Sequence, residues 1–309
     1  MAQIQQARKE NTELGKKYKE LLNKNLKQRE TTMDILEKHE KFLYPVVRIF
    51  SNKAAGSGTV IYCEPDAKEG VKDEWLTFVL TNHHVVSDLI SYKDQWDALL
   101  KAQRKQEFRD KARVEVFSYV RVSDMDSSNR FSADIVAYDV NHDLAVLKLD
   151  SPTRIKRTTK LISRDKISDL KLFMDVIVGG CSLAHDPFCN HGQLTYLKEI
   201  IDQREYLMTN ASSIFGNSGG GLFLAETGEL IGVPSRITGV QLGFGMDIIT
   251  WMGFSAHPER IYSFLEEQEL KFLYDPADDY YKAMDRRKKK EREAILALKA
   301  EIAKEEATV

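Results

Sequence analysis

Hydrophobic residues follow two different patterns along the chain. Between residues 46 and 233, short apolar runs rich in β-branched side chains recur between turn residues, as in VVRIF (46–50) and LAVLKL (144–149). Short runs at this spacing are typical of strands in a β-barrel or a β-sandwich. Residues 257–273 instead repeat apolar positions at helical spacing, with a proline at an early position, so the pattern predicts a helix there.

Both ends of the chain are highly charged and have narrow apolar stripes. Over residues 1–44, apolar residues recur at steps of three, four and seven, which predicts one amphipathic helix, an N-terminal arm. Residues 274–309 combine the basic run 286–290 with a stripe formed by Ile295, Leu298 and Ile302. We therefore expect a charged C-terminal helix, whose basic run is surrounded by acidic residues and is typical of a solvated face.

One internal segment departs from the strand pattern. Residues 91–113 are charged and contain neither glycine nor proline. This composition predicts a helical insertion in a connection between two strands.

The composition limits the classes of function. With 309 residues, 42% of them hydrophobic, the chain can form about two domains with real cores. A net charge of -2 argues against a dedicated nucleic-acid binder, and binding of nucleic acid through the basic run 286–290 is kept only as an alternative. Three cysteines cannot all pair within the chain, which favours a reducing compartment. No secretory leader or membrane span is visible, so we expect a cytoplasmic protein, or one associated with a virion or another large assembly.

The strongest chemical motif is the run GNSGG from Gly216 to Gly220. A serine hydroxyl is a weak nucleophile until a base removes its proton and donors stabilise the resulting oxyanion. Glycines around Ser218 would let the backbone turn sharply and direct N–H groups at a carbonyl oxygen. A glycine-rich turn without chemistry is the alternative interpretation of these five residues.

Two further motifs supply a base and a carboxylate. The run LTNHHVV contains His83 and His84 directly after a predicted strand, and HDLAVLKL places Asp143 at the start of another. Taken singly, a histidine pair is more often structural, and an aspartate before a strand is more often a turn residue. Together, in the order His, Asp, Ser, they are the parts of a nucleophile, a base and a group that orients the base.

At this point the sequence resembles a known family. The runs GSGTVIY, LTNHHVV, HDLAVLKL and GNSGGGL are similar, in content and order, to those of trypsin-like serine peptidases of the HtrA/Deg type. The resemblance extends from about residue 46 to residue 265. It implies a mainly β fold of two six-stranded antiparallel barrels, with the active site in the crevice between them. The peptidase domain would cover residues 45–273, with no PDZ-like module after it.

The resemblance also implies roles for particular residues. Ser218 would be the nucleophile, His84 the general base and Asp143 the residue that orients the base. The backbone N–H groups of Gly216 and Ser218 would form the oxyanion hole. By family position, an uncharged substrate pocket would be lined by Ser212, Ser235 and Gly253. Such a pocket favours small or medium apolar side chains, and the substrate would be a protein or peptide cleaved through an acyl-enzyme.

No cofactor or metal is predicted. The four residues Cys181, His185, Cys189 and His191 offer ligand types that zinc prefers, but their spacing matches no common zinc pattern. A structural loop is the better interpretation.

The helical ends suggest a partner. A narrow apolar stripe must be covered, so we expect a homo-oligomer, or docking to a larger assembly, through the arms. A protease fold retained only as a scaffold is the rival hypothesis. The presence of His84, Asp143 and Ser218 together favours the enzyme.

Overall fold

The fold was analysed in a computed structural model, and its contacts divide it into two units, Met1–Lys38 and His39–Val309. The residues that the structure describes are 13–19, 33–67, 74–97, 102–151 and 153–306.

The N-terminal unit contains helical segments rather than the single helix predicted over 1–44. Residues 13–19 are helical, and a separate helix, Ile35–Lys38, begins after two non-helical residues. Asp34 Oδ1 accepts the backbone N–H of Glu37 at 2.7 Å, which caps the new helix at its start. The prediction of one uninterrupted helix is therefore wrong at this point, and its remaining part up to residue 32 lies mostly outside the described residues.

The first half of the larger unit forms a closed barrel. Its strands, together with two that form a separate hairpin, are β1 (Val46–Phe50), β2 (Ala55–Pro65), β3 (Trp75–Thr81), β4 (Ile90–Asp97), β5 (Ala102–Arg109), β6 (Ala112–Val120), β7 (Asp124–Asp139) and β8 (Leu144–Leu149). The barrel order is β1-β2-β3-β8-β7-β6, and β6 pairs back to β1. All of these pairings are antiparallel.

A second antiparallel barrel follows. Its strands are β9 (Asp175–Gly180), β10 (Phe188–Ile201), β11 (Arg204–Thr209), β12 (Gly221–Leu224), β13 (Leu230–Leu242) and β14 (Gly245–Ala256). The order is β10-β11-β14-β13-β12-β9, and β9 pairs with β10 to close the ring. The prediction of two six-stranded barrels is confirmed.

Each barrel has its own core of aliphatic side chains. The first is filled by buried residues that include Val47, Ile49, Val60, Val79, Val114, Ile135 and Leu147. The second is filled by residues that include Val176, Val178, Leu194, Leu207, Leu222 and Ile231. Side chains on successive strand positions point to opposite faces, so the residues between them point out of the barrel, where they can contact the other barrel.

The predicted helical insertion is wrong. Residues 90–97 and 102–109 instead form the antiparallel pair of strands β4 and β5, called here the hairpin β4–β5, with Ile90 opposite Arg109. Cross-strand pairing compensates for the charge that suggested a helix, since Asp94 lies opposite Lys105. The Tyr92 hydroxyl donates to Glu107 Oε2 at 3.1 Å, which fixes the base of the hairpin.

Two longer helices end the unit. Pro258–Glu267 lies where a helix was predicted over 257–273 and begins with proline, whose missing N–H costs nothing at that position. The C-terminal helix, Tyr280–Glu306, begins against the first barrel, with the Tyr280 ring 5.8 Å from that of Phe78. Within the described residues, helices long enough to cross a membrane are too polar to do so.

Candidate active site

His84 lies on a one-turn helix, His83–Val86, directly after β3. The two valines of this helix are buried in the first-barrel core, which fixes its rotation. The His84 side chain therefore points outward and is 47% exposed. Asn82, just before the helix, donates from Nδ2 to the backbone oxygen of Asp143 over 2.7 Å. This bond ties the helix to the turn that carries the aspartate.

Asp143 lies in the turn between β7 and β8, with a left-handed φ of 54°. Its Oδ1 accepts the backbone N–H of His84 at 3.0 Å. Its Oδ2 lies 2.8 Å from His84 Nδ1 and accepts the hydroxyl of Ser235 at 2.6 Å. The carboxylate thus holds both the backbone and the ring of the histidine, which gives the ring one orientation.

The surroundings of Asp143 favour the ionised carboxylate. Burial raises the pKa of Asp143, but hydrogen bonds with His84 and Ser235 outweigh it, and the pKa lies below its ordinary value of 3.8. An ionised carboxylate can only accept hydrogen bonds, so the Nδ1 atom of His84 carries the hydrogen. The other ring nitrogen, Nε2, then has a free lone pair with which it can accept a proton.

Ser218 lies in a turn between β11 and β12, and this turn packs against the first barrel. Its carbonyl oxygen accepts the backbone N–H of Ser57 at 2.8 Å, and the N–H of Gly219 donates to the Pro234 oxygen at 2.9 Å. A Cβ atom on Gly219 would lie 2.2 Å from the Ser57 oxygen and 3.1 Å from the backbone nitrogen of Asn82. Only glycine allows this approach, which brings the Ser218 segment to the start of the histidine helix.

The peptide groups around Gly216 are also fixed. The Phe215 carbonyl accepts the N–H of Leu183 at 2.8 Å, and the Gly216 carbonyl accepts the hydroxyl of Ser57 at 2.6 Å. Because the carbonyl and the N–H of a trans peptide point in opposite directions, the N–H of Gly216 points away from Leu183. Among the hydrogen bonds of the described residues, the N–H groups of Gly216 and Ser218 have no protein acceptor.

The three residues predicted to line the substrate pocket have different surroundings. Ser212 is exposed, and its carbonyl accepts Asn190 Nδ2 at 2.8 Å. Gly253 packs against the buried Ser213, since a Cβ on it would lie 3.2 Å from that of Ser213. The hydroxyl of Ser235 is bound to the aspartate, a role that the sequence did not indicate. The structure therefore brings Ser235 to the Asp143 carboxylate and leaves the other two near the turn before Ser218.

In the described part of the chain, neither Arg236, which follows Ser235, nor any of the four candidate zinc ligands is hydrogen-bonded to His84 or Asp143. Arg236 is paired with Asp202 over 2.8 Å. The ligand atoms of Cys181, His185, Cys189 and His191, all within the described part of the chain, do not converge as a group. Cys181 is fully buried, and burial raises the pKa of its thiol to about 12.

Sequence reasoning missed the part that three residues play in holding the candidate site together: Ser57 and Asn82 were not singled out, and Ser235 was expected only to line the substrate pocket. Ser57 lies in the G-S-G run and Asn82 in T-N-H-H, both parts of the motifs already used. Ser235 lies within β13 and belongs to no motif, so only the folded structure connects it with Asp143.

The chain has the fold class of chymotrypsin-like proteins, which consists of two joined β-barrels. The histidine–aspartate pair and the glycine-bounded serine turn lie where the barrels meet. The family model for the trypsin-like peptidase domain matches residues 56–233, more than half of the chain. The chain therefore belongs to the trypsin-like peptidase family. No curated protein matches it.

Solved structures of the same fold include two of the HtrA-type protease AlgW with tripeptide, one of them a serine-to-alanine variant. Each aligns with a TM-score of 0.53 at 17% identity, over 77% of this chain and 64% of the other chain. The likeness shows a common fold. The chain spans slightly less than two thirds of the length of these proteins.

Proposed function

We propose that this peptidase is a serine endopeptidase that acts through an acyl-enzyme. The observation that carries the proposal is the contact between His84 Nδ1 and Asp143 Oδ2 at 2.8 Å. The GNSGG turn of this chain, which belongs to the trypsin-like peptidase family, lies close to the start of the helix that carries His84. The proposed roles are nucleophile for Ser218, general base for His84 and orienting carboxylate for Asp143.

The reaction begins when the Ser218 hydroxyl attacks the scissile carbonyl carbon and its proton moves to His84 Nε2. The negative charge that develops on the carbonyl oxygen is stabilised by the N–H groups of Gly216 and Ser218. The C–N bond then breaks, and His84 gives its proton to the leaving amine. Water repeats the same steps on the ester and releases the acid and free Ser218. The Asp143 carboxylate stays ionised throughout and stabilises the protonated ring.

The proposed substrate is a protein or peptide with a small or medium apolar side chain at the cleavage position. Support comes from the lack of charge on Ser212 and Gly253, the two expected pocket residues that lie near the turn before Ser218. The nearby Arg236 is engaged by Asp202, which reduces its influence on the pocket. A substrate library with all side chains at that position tests this preference.

Fluorophosphonate labelling tests the nucleophile. An active serine oxygen displaces fluoride and forms a bond to phosphorus, so the wild-type chain should be labelled and should hydrolyse peptides. Ser218→Ala should lose both, while Ser168→Ala, which changes an exposed serine in the short helix Arg164–Asp169, should keep both. An unlabelled, inactive wild type would instead support the rival hypothesis of a silent scaffold.

A further inference from the structure

A row of polar residues crosses the outer face of the first barrel where it meets the second. The strand register places Ser57 opposite Arg48, Arg48 opposite Glu115, and Glu115 opposite Arg130. Cross-strand partners share a face, so these four side chains lie side by side. The outward face of a barrel is usually solvated, yet Glu115 is 0% exposed and Arg48 only 14%.

The guanidinium of Arg48 is held rigidly. Its Nε donates to Glu115 Oε2 at 2.7 Å, and its Nη2 contacts the same oxygen. The rings of Phe50 and Phe117 lie 5.4 and 5.2 Å from it. A buried charge with this many partners is held in one place, because any movement would break its bonds to the buried Glu115. Arg130 contacts the other carboxylate oxygen but is largely exposed.

The remaining nitrogen of Arg48 reaches the second barrel. Nη1 donates to the carbonyl oxygen of Ala184 at 2.6 Å. It also lies 3.4 Å from Asp186 Oδ1, a largely exposed carboxylate. Ala184 closes a short turn, Ser182–Ala184, in which Leu183 and Ala184 have φ of 52° and 59°. Left-handed backbone at two successive residues with side chains is strained, so such a turn persists only where contacts hold it.

That turn supports the peptide that carries the expected oxyanion donor. The N–H of Leu183 donates to the Phe215 oxygen at 2.8 Å. A Cβ on Gly216 would lie 2.6 Å from the Leu183 nitrogen and 2.8 Å from the Cys181 oxygen. The peptide between Phe215 and Gly216 therefore rests directly on the turn. If the turn relaxed, this peptide would lose the bond that directs the Gly216 N–H into the cleft.

We propose that Arg48 is a positioning residue for the oxyanion hole: it anchors the strained turn Ser182–Ala184 through the Ala184 carbonyl and so orients the N–H of Gly216. This inference rests on the proposed function, because it assigns a role in the same reaction. Arg48 touches no substrate. Its buried ion pair with Glu115 in the first barrel restricts the movement of the Gly216 N–H group in the second barrel.

A variant that removes the anchor without leaving a buried charge tests the proposal. In Arg48→Met/Glu115→Met, both ions are replaced by apolar side chains of similar length, an exchange that folded proteins often tolerate. Arg130→Met is the matched control, since it removes a partner of Glu115 but no contact with the turn. Arg48→Lys keeps the charge, but one ammonium group replaces the planar fork that spans Glu115 and Ala184.

The expected result is a loss in kcat with little change in KM. Loss of a complete oxyanion donor lowers kcat by about 10²–10³-fold, so a misdirected one should cost the double variant at least ~10-fold. A peptide boronic acid, which forms a tetrahedral adduct, should bind more weakly by a similar factor. The affinity for an uncleaved product peptide should be unchanged. Arg48→Lys should be intermediate, and Arg130→Met should stay within about twofold of the wild type.

Amide hydrogen exchange at Leu183 is the second readout, and it does not depend on catalysis. Exchange should accelerate in the double variant and in Arg48→Lys, and stay unchanged in Arg130→Met. A folded double variant with wild-type kcat and wild-type exchange would overturn the inference while leaving the serine peptidase intact. If the double variant did not fold, unchanged kcat and exchange in Arg48→Lys would overturn it. If the wild type proved inactive, the proposed function would fail, and wild-type exchange in the variants would separately refute the anchor.

Discussion

His83 and His84 are adjacent in the chain but have different surroundings. The ring of His83 stacks on Tyr138 at 5.1 Å between centroids, and burial lowers its pKa. The ring of His84 faces Asp143. We therefore expect His84→Ala to reduce kcat by several orders of magnitude, whereas His83→Ala should lower the melting temperature and leave most of the turnover. Steady-state kinetics and thermal unfolding of both variants check this, and the reverse ranking would move the base to His83.

The contacts of Asp143 predict that two substitutions reduce kcat to different extents. Asp143→Asn should lower kcat by about 10⁴-fold, because an amide can donate to His84 Nδ1 and so stabilise the wrong tautomer. Ser235→Ala removes one hydrogen bond to a charged group, worth about 1.5–3 kcal/mol, so its effect should be far smaller. Single-turnover kinetics of the two variants measure the ratio. Equal losses would show that the hydroxyl of Ser235 is as important as the carboxylate.

At the residue scale, the sequence indicated the candidate site residues but not the residues that support them. Ser218, His84 and Asp143 lie in short motifs, since each requires a special turn or strand end nearby. Arg48 and Ser235 lie on ordinary strands, and their importance depends on contacts with residues more than 90 positions away. No local pattern encodes such contacts, because they arise only when the two barrels meet.

At the element scale, the hairpin β4–β5 shows why the composition of residues 91–113 wrongly predicted a helix. A segment without glycine or proline and rich in charge has good helix propensity, but that preference is weak and cross-strand pairing overrides it here. The strand runs of the barrels were predicted well because their alternation is imposed by a buried face. The hairpin is exposed on both faces, so its sequence carries no such alternation.

The hairpin should be removable beyond its base. Replacing residues 93–106 by Asn-Gly would join Tyr92 to Glu107, which lie opposite each other, through a two-residue turn suited to antiparallel strands. The bond between their side chains, and that of the Tyr138 hydroxyl to Glu107 at 2.6 Å, would remain. We expect a melting temperature within a few degrees of the wild type and nearly unchanged peptide hydrolysis. A large loss of turnover would show that the distal hairpin contacts the substrate.

At the scale of the whole molecule, two shielded carboxylates make the fold sensitive to acid. Burial raises the pKa of Glu115, but hydrogen bonds from Arg48 and Arg130 outweigh it, and the pKa is lowered, as it is for Asp143. A lowered folded pKa stabilises the fold fully above the unfolded value, near ~4, and the stabilisation is lost as pH falls through the folded value. Thermal unfolding should therefore be insensitive to these groups at neutral pH and shift downward in acid.

The control for this prediction is Arg48→Met/Glu115→Met, which lacks one of the two carboxylates. Its unfolding temperature should fall less steeply below pH 4 than that of the wild type. Parallel acid profiles for the two proteins would show that Glu115 is not the source.

Assembly through the helical ends remains a prediction. Within the described residues, Leu14 and Tyr18 of the N-terminal unit are exposed, and so are Leu296 and Leu298 of the C-terminal helix. We propose that such stripes are covered by a second copy of the chain. Light scattering should give a mass above 35.4 kDa for the full chain and a lower mass after deletion of residues 1–38, with hydrolysis of a small peptide retained. A full-length monomer at micromolar concentration would contradict this.

The residues of the proposed reaction are distributed over the two barrels, and the ribosome makes these barrels one after the other. His84 and Asp143 belong to the barrel that leaves the ribosome first, and Ser218 belongs to the one that leaves second. A nascent chain that has folded its first barrel therefore contains a base without a nucleophile. Until the second barrel closes, it can cut neither itself nor its neighbours, so the order of translation alone would act as a delay on proteolysis.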